Sequence, residues 1–313
     1  MFLSNSMKKI HVSGVRNLSL AKFEIFSTVV ELGSLTKAGE TLGLTQSAVS
    51  HAIASLESEW GFSLLNRGRS GINLTNNGEH VLKYIREILK WNEEMLQEIA
   101  NINGLTTGKV RIGTFSSVSA QWLPEILKDF HEYYPSIEIK LLEGNYDDIE
   151  YWISNGIVDF GFVSLPTLHR FEVIPLKKDR MLCLLYDEHP LVHQKELSFE
   201  MIKEEPLIMS KKGSDNDLRR LLEENNITPN IKFELADDQA IFSMVQHGIG
   251  IAILPEMALY RIPKNIRILN FEQENYRTIG IAATSFKNLA PATKKFIEYL
   301  KSWLNEPAHP NTL

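Results

Sequence analysis

The chain has 313 residues, 43% of them hydrophobic and 23% charged, with a formal net charge of −6. That length predicts two or three domains, each with its own core, and the acidic balance excludes a general nucleic-acid coat. A single cysteine, Cys183, excludes a disulfide framework within one chain, in keeping with a reducing compartment. No apolar run reaches membrane-spanning length and no signal-peptide core opens the chain, so the expected location is the cytoplasm, with no membrane partner.

Residues 1–17 form an N-terminal extension in which Met7 offers a second initiator. Residues 18–74 hold the most informative pattern. Counting Leu35 as the first position of a helix-turn-helix, small Gly39 falls where the helices cross, and Gly43 where the turn requires positive φ. Leu42, Leu44, Val49 and Ile53 are the apolar residues expected to lock the two helices onto Phe23, Phe26 and Val30. Thr45 is a natural N-cap. Gln46, Ser47, Ser50, His51 and Ser55 are left as a short polar face suited to base edges in a major groove. Ser34, Thr36 and Thr45 are expected to fix helix starts near the phosphate backbone, and Arg67 and Arg69 sit on a small basic wing.

This segment resembles the DNA-binding domain of the LysR-type transcriptional regulators. Phe23 and Phe26 before Gly33-Ser34-Leu35-Thr36-Lys37-Ala38, then Leu44-Thr45-Gln46-Ser47-Ala48-Val49-Ser50, Leu56-Glu57 and Leu74-Thr75-Asn76-Asn77-Gly78, follow that family's spacing. The resemblance extends over residues 18–303. It implies a sequence-specific regulator of promoter DNA governed by a small-molecule effector, acting as a homodimer or a tetramer built as a dimer of dimers, with RNA polymerase as a further partner. Two positions depart from the pattern: His51 stands where the family usually has arginine, and Gly39 where it usually has alanine, at a helix cost of about 1 kcal/mol.

The charge distribution agrees. Residues 1–74 carry +2, residues 75–103 carry −2 and the remainder −6. Residues 75–103 read as a linker and dimerisation helix on the order of 40 Å long. Val81, Ile85, Ile88, Asn92, Met95, Ile99 and Ile102 alternate by four and three, a heptad seam that calls for a partner helix, with Asn92 setting its register.

Gly104 to Gly108 mark a hinge. Beyond it strands and helices alternate: strands near 109–113, 137–142, 159–163, 206–209, 231–235, 250–254, 267–270 and 277–283, with helices over 118–134, 146–155, 238–246 and 291–303 and one ending at 224. The expected fold class is α/β, with an N-terminal all-α winged helix-turn-helix domain and a bilobed, doubly wound effector domain resembling periplasmic binding proteins. The effector domain covers 109–303, with lobe I at 109–178 and 264–303, lobe II at 179–263, and a tail at 304–313. Such alternation predicts a mainly parallel sheet.

Ligands in this architecture sit at strand carboxyl ends. Thr114, Ser116 and Ser117 in the first lobe and Ser210 and Ser214 in the second are the expected effector contacts, joined by Val163, Ser164, Asp238 and Gln239. Hydroxyls and helix starts favour a carboxylate or other anionic co-inducer. No other cofactor is expected. His189 and His193 have ligand-like spacing but no third ligand, so no metal is assigned. Cys183, within the apolar run from Met181 to Tyr186, reads as strand filler rather than a redox thiol. No set of residues takes acid, base and nucleophile roles, so no catalytic residues are assigned and the chain is read as a non-enzyme. The alternatives, a solute-binding protein or an enzyme fused to a DNA-binding domain, lack an export signal and a catalytic constellation respectively.

Overall fold

The computed structural model describes residues 19–68, 71–104 and 106–306. The N-terminal extension with Met7, Arg69 of the wing, Leu105 of the hinge and residues 307–313 of the tail lie outside the described residues. The chain divides into two compact units, Met1–Met95 and Leu96–Leu313.

The first unit holds α1 (Leu20–Leu32), α2 (Leu35–Leu42), α3 (Gln46–Trp60), β1 (Leu65–Gly68), β2 (Gly71–Leu74) and the first part of α4 (Asn76–Ile102). Side chains of Ser19, Ser34 and Thr45 accept from the amides of Lys22, Lys37 and Ala48, so each of the first three helices starts on a satisfied cap. Gly43 ends α2 in the left-handed region at φ 66. Phe23, Phe26, Val29, Ala38, Val49, Ile53 and Leu56 form one buried cluster with Leu82 and Ile85 of α4. Two residues depart from the expected lock: Leu42 is half-buried outside that cluster, and Leu44 is 41% exposed. Leu44 follows the left-handed glycine, and its amide, not its side chain, is what engages α2, donating to Gly39 O at 2.8 Å. A Cβ at Gly39 would lie 2.7 Å from Leu44 O, so glycine's helix cost is offset by the tightness of this crossing.

Gly78 is a closer case. Thr75 binds the wing through Leu64 O and caps Gly78 N at 2.9 Å, which presses the start of α4 onto the strand entry. A Cβ at Gly78 would fall 2.2 Å from Leu64 O. Gly78→Ala would gain about 1 kcal/mol of helix propensity, but crowding against a backbone atom costs about 1–3 kcal/mol. The expected result is a net loss of up to about 2 kcal/mol in this unit, measured by thermal unfolding of the full chain.

In the second unit, β3 (Gly108–Thr114), α5 (Ser116–Gln121), α6 (Leu123–Tyr133), β4 (Ile137–Glu143), α7 (Tyr146–Ser154) and β5 (Phe160–Leu165) build lobe I. The long β6 (Glu172–Tyr186) crosses to lobe II, which contains α8 (Phe199–Ile202), β7 (Pro206–Ser210), α9 (Asn216–Glu224), β8 (Asn230–Leu235), α10 (Asp238–Gln246), β9 (Ala252–Pro255) and β10 (Ile266–Leu269). β11 (Tyr276–Ala283) returns to lobe I and α11 (Pro291–Asn305) closes it. The predicted helix over 118–134 is two helices. Pro124 lacks the amide that would continue the ladder and disfavours helical backbone before it, so α5 stops at Gln121 and α6 starts afresh.

The main sheet runs β10-β6-β11-β5-β3-β4, with β9 also on β6. β3 pairs in parallel with β4 and β5, whereas β11 is antiparallel to both β5 and β6. The sheet is therefore mixed rather than mainly parallel, because the two crossing strands enter it in opposite directions. In lobe II, Cys183 and Leu185 pack into one cluster and Leu184 into another, so β6 is covered on both faces as a doubly wound layer requires. Cys183 is fully buried and burial pushes its thiol pKa up, which fits strand filler.

Candidate DNA interface and effector cleft

On α3 the structure leaves Gln46, Ser47 and His51 exposed and Ser50 half-buried. The pairs 46/50 and 47/51 lie one turn apart, so these four share a face. Thr45 both caps the helix and bonds Ser47 Oγ at 3.0 Å, fixing the first turn. Ser34 is a half-buried cap and Thr36 is exposed on the first turn of α2. Ser55 does not belong with the open face. Its hydroxyl accepts from Lys22 Nζ at 2.8 Å and donates to Glu59 at 2.9 Å, in a bridge between α1 and α3 that also pairs Lys22 with Glu59. The wing is an antiparallel hairpin that places Arg67 opposite Ile72.

The seam along α4 is split. Ile85, with Leu82, is buried in the helix-turn-helix core, and Val81 and Ile88 pack against it. They are consumed within the chain, because the start of α4 must cover the cluster that three short helices leave open. Asn92 is half-buried. The apolar residues that remain exposed are Tyr84, Trp91, Met95, Leu96, Ile99 and Ile102, the last at 77%.

The effector domain carries a polar cluster on the two strands that cross between its lobes, and the sequence reading missed its centre. Arg277 and Asp179 face each other directly across the β6–β11 pairing. Both are almost wholly buried, and the Arg277 guanidinium lies 2.7 Å from Asp179 Oδ2. It also donates to Tyr146 Oη at 2.8 Å and Ser117 Oγ at 2.7 Å, and sits 5.1 Å from the Phe115 ring centre. Burial alone would lower the arginine pKa, but Tyr146, Asp179 and Asp217 together hold it above its ordinary value. Burial likewise raises the Tyr146 hydroxyl, and Asp217 adds to this against the pull of Arg277, so the group remains protonated. The available signal was periodicity: Arg277 shares a strand face with buried Ile279 and Ile281, and a charge in that register is informative.

Hydrogen bonds from lobe to lobe hold the cleft shut. Ser164 Oγ donates to Asp217 Oδ1 at 2.8 Å, Ser116 Oγ reaches Asp238 Oδ2 at 3.5 Å, and Tyr146 N donates to Gly213 O at 2.9 Å. Arg220 joins Asp217 Oδ1 at 2.9 Å and Leu165 O at 3.3 Å. Thus Ser116, Ser117, Ser164 and Asp238 converge on the cleft. Ser210 and Ser214 line a small cavity of about 20 Å³ beside Tyr146, Asp215 and Asp217. Three expected contacts lie elsewhere. Thr114 is fully buried with its hydroxyl turned to Ser119 and Phe115 O, Val163 is core filler of lobe I, and Gln239 is exposed with its amide capped by Asp237. Asp238 is partly buried, and burial, reinforced by Asp237, raises its carboxyl pKa against the pull of Arg277.

A larger hollow of about 540 Å³ lies at the hinge strands, between Gln121, Lys177, Arg180, Glu256, Glu274 and Tyr276. Its charged walls pair with one another, notably Arg180 with Glu256 at 3.0 Å, and it is not at the strand carboxyl ends. The inter-lobe cleft, by contrast, is where both lobes and a buried carboxylate meet.

Two family models match the chain: "Bacterial regulatory helix-turn-helix protein, lysR family" over residues 20–79 and "LysR substrate binding domain" over residues 103–305. The HTH-type transcriptional regulator YvbU of Bacillus subtilis, itself uncharacterised, is 34% identical over 91% of this chain and 98% of its own length. Full-length OxyR from Pseudomonas aeruginosa, a cysteine-to-aspartate variant, superposes with a TM-score of 0.73 at 20% identity, covering 92% of this chain and 95% of that one. Full-length CbnR complexed with its target DNA gives 0.64 at 18% identity, covering 91% and 99%. An N-terminal helix-turn-helix domain followed by an effector-binding domain, each matched by its own model, places this chain in the LysR family of transcriptional regulators.

Proposed function

We propose that the chain reads promoter DNA as a dimer in the cytoplasm and that a small molecule entering the inter-lobe cleft changes that reading. Gln46, Ser47, Ser50 and His51 face the bases, Ser34, Thr36 and Thr45 lie at the backbone, and Arg67 and Arg69 add phosphate contacts from the wing. Two copies join through the exposed stripe of α4 that contains Trp91, Met95, Ile99 and Ile102, which supplies paired half-site recognition. Pairing of dimers into a tetramer and contact with RNA polymerase extend the same arrangement. Within the cleft, the hydroxyls of Ser116, Ser210 and Ser214 are the donors for a carboxylate or other anionic group of the effector.

The observation that carries this reading is the latch itself. Ser164–Asp217 and Ser116–Asp238 join the lobes across a two-strand hinge, so a ligand that enters must exchange those bonds for its own. An effector alters DNA binding only through its preference for one lobe arrangement. A hydrogen bond to a charged group contributes about 1.5–3 kcal/mol, so Ser164→Ala should shift the open–closed ratio by roughly 10- to 150-fold.

Gel-shift and footprinting on the DNA upstream of the protein's own coding region, under heparin competition, test both halves. Specific retention by the parent and Ser164→Ala chains, with a changed footprint length or bend for the variant, is the expected result. An unchanged footprint removes the coupling, and loss of specific retention by the parent removes the DNA-reading assignment.

A further inference from the structure

We infer that the effector presents a positively charged nitrogen to Asp217, an assignment that rests on the cleft being the effector site. Asp217 Oδ1 is shared by Ser164 and Arg220, but Oδ2 is buried and accepts no hydrogen bond from the described residues. Asp217 is only 6% exposed, so this oxygen has lost its hydration without replacement. An unmet buried carboxylate oxygen is costly unless something supplies a donor.

The charge balance of the cleft points the same way. Asp179 is used by Arg277 and by Met257 N, and Arg220 engages one oxygen of Asp217. Asp238 bonds Ser116 and forms no ion pair among the described residues. Three carboxylates thus face two guanidinium groups, and the excess is negative. A wholly anionic ligand would meet that excess at short range, in a setting where charges interact strongly.

The cavity beside Asp217 has the scale of an ammonium head. At about 20 Å³ it admits one small group. Its walls offer acceptors in the Asp217 carboxylate and the hydroxyls of Ser210 and Ser214. An ammonium has three hydrogens to donate and no acceptor, which complements such a wall. The effector class is therefore a small amine. In this assignment the Ser210 and Ser214 hydroxyls turn to the ammonium and the carboxylate is left to Ser116, outside that cavity, so the effector is a zwitterion of the amino-acid type.

Thermal shift and titration calorimetry on the full chain, using free amino acids, their N-acetyl derivatives, the corresponding deaminated acids and a diamine series, test this. Free amines should raise the melting temperature while acetylated and deaminated counterparts do not. Asp217→Asn, which keeps the bond to Ser164, should weaken the amine by at least about tenfold, and Asp238→Asn should weaken it less. Equal binding of the acetylated or deaminated forms overturns the inference, as does amine binding that survives both substitutions. If those forms without an ammonium bind and Ser116→Ala weakens them, the cleft stands as the effector site and only the ammonium falls. If no probe gives a shift that cleft substitutions alter, both fall.

Discussion

Replacing Arg277 by methionine is expected to destabilise the effector domain by about 3–5 kcal/mol, because it leaves a buried carboxylate without its partner. Asp179 would keep only the Met257 amide, and Tyr146 and Ser117 would each lose a short bond. Methionine fills much of the same volume, so the loss reports charge rather than a cavity. Urea unfolding of the full chain, followed by the tryptophans of the effector domain, measures it. The double variant Arg277→Met with Asp179→Leu should recover part of the deficit, since neither half of the pair then remains as a lone buried charge although the Met257 amide loses its acceptor. A single-variant loss below about 1 kcal/mol, the range of exposed pairs, would mean the pair is solvated in solution.

The pH dependence of the same variant follows from Asp238. Its carboxyl is already raised by burial, then by Asp237, while Arg277 opposes the rise. Without Arg277 the folded-state pKa climbs further above the unfolded value. The folded state then takes up the proton first, so the destabilisation is full above the raised pKa and shrinks as pH falls through it. The deficit of Arg277→Met should accordingly be smaller in mildly acidic buffer than at neutral pH.

This cluster also marks how far the sequence could be read. The helix-turn-helix was legible because its constraints are local: a cap at Thr45, a left-handed residue at Gly43 and apolar residues one turn apart. The bilobed alternation was legible for the same reason. The long crossing strand β6 was not, since its first half, from Glu172 to Arg180, is partly exposed and carries four charged residues after Pro175. Arg277 and Asp179 lie ninety-eight positions apart, and nothing local says they will be neighbours. The seam of α4 failed in the opposite sense. Its periodicity was real, but Ile85 satisfies it inside the chain, and a heptad does not record which surface it meets. Of the proposed effector contacts, Ser117 and Ser164 were found as hydroxyls near strand ends, while the side chains that orient them, Arg277 and Asp217, come from elements whose placement only the fold decides.

Gln46→Ala is expected to weaken specific DNA binding by roughly 5- to 150-fold while leaving binding to random DNA nearly unchanged, since a good bidentate contact to a base contributes about 1–3 kcal/mol of discrimination. Gln46 is the first residue of α3, exposed, with its backbone position set by the Thr45 cap rather than by its own side chain. Truncating it should therefore leave the fold intact and remove only what it offers outward, an amide able to pair with adenine N6 and N7. His51, on the same face and exposed, cannot take over, because a neutral imidazole presents one donor and one acceptor in a different geometry. Arg69→Ala is the informative contrast: it should lower affinity for specific and random DNA alike and reduce the salt slope by about one. Parallel titrations on an operator fragment and a scrambled one, at several salt concentrations, separate the two. Equal losses on both fragments for Gln46→Ala would remove it from base recognition and transfer that role to Ser47 and Ser50 on the same face.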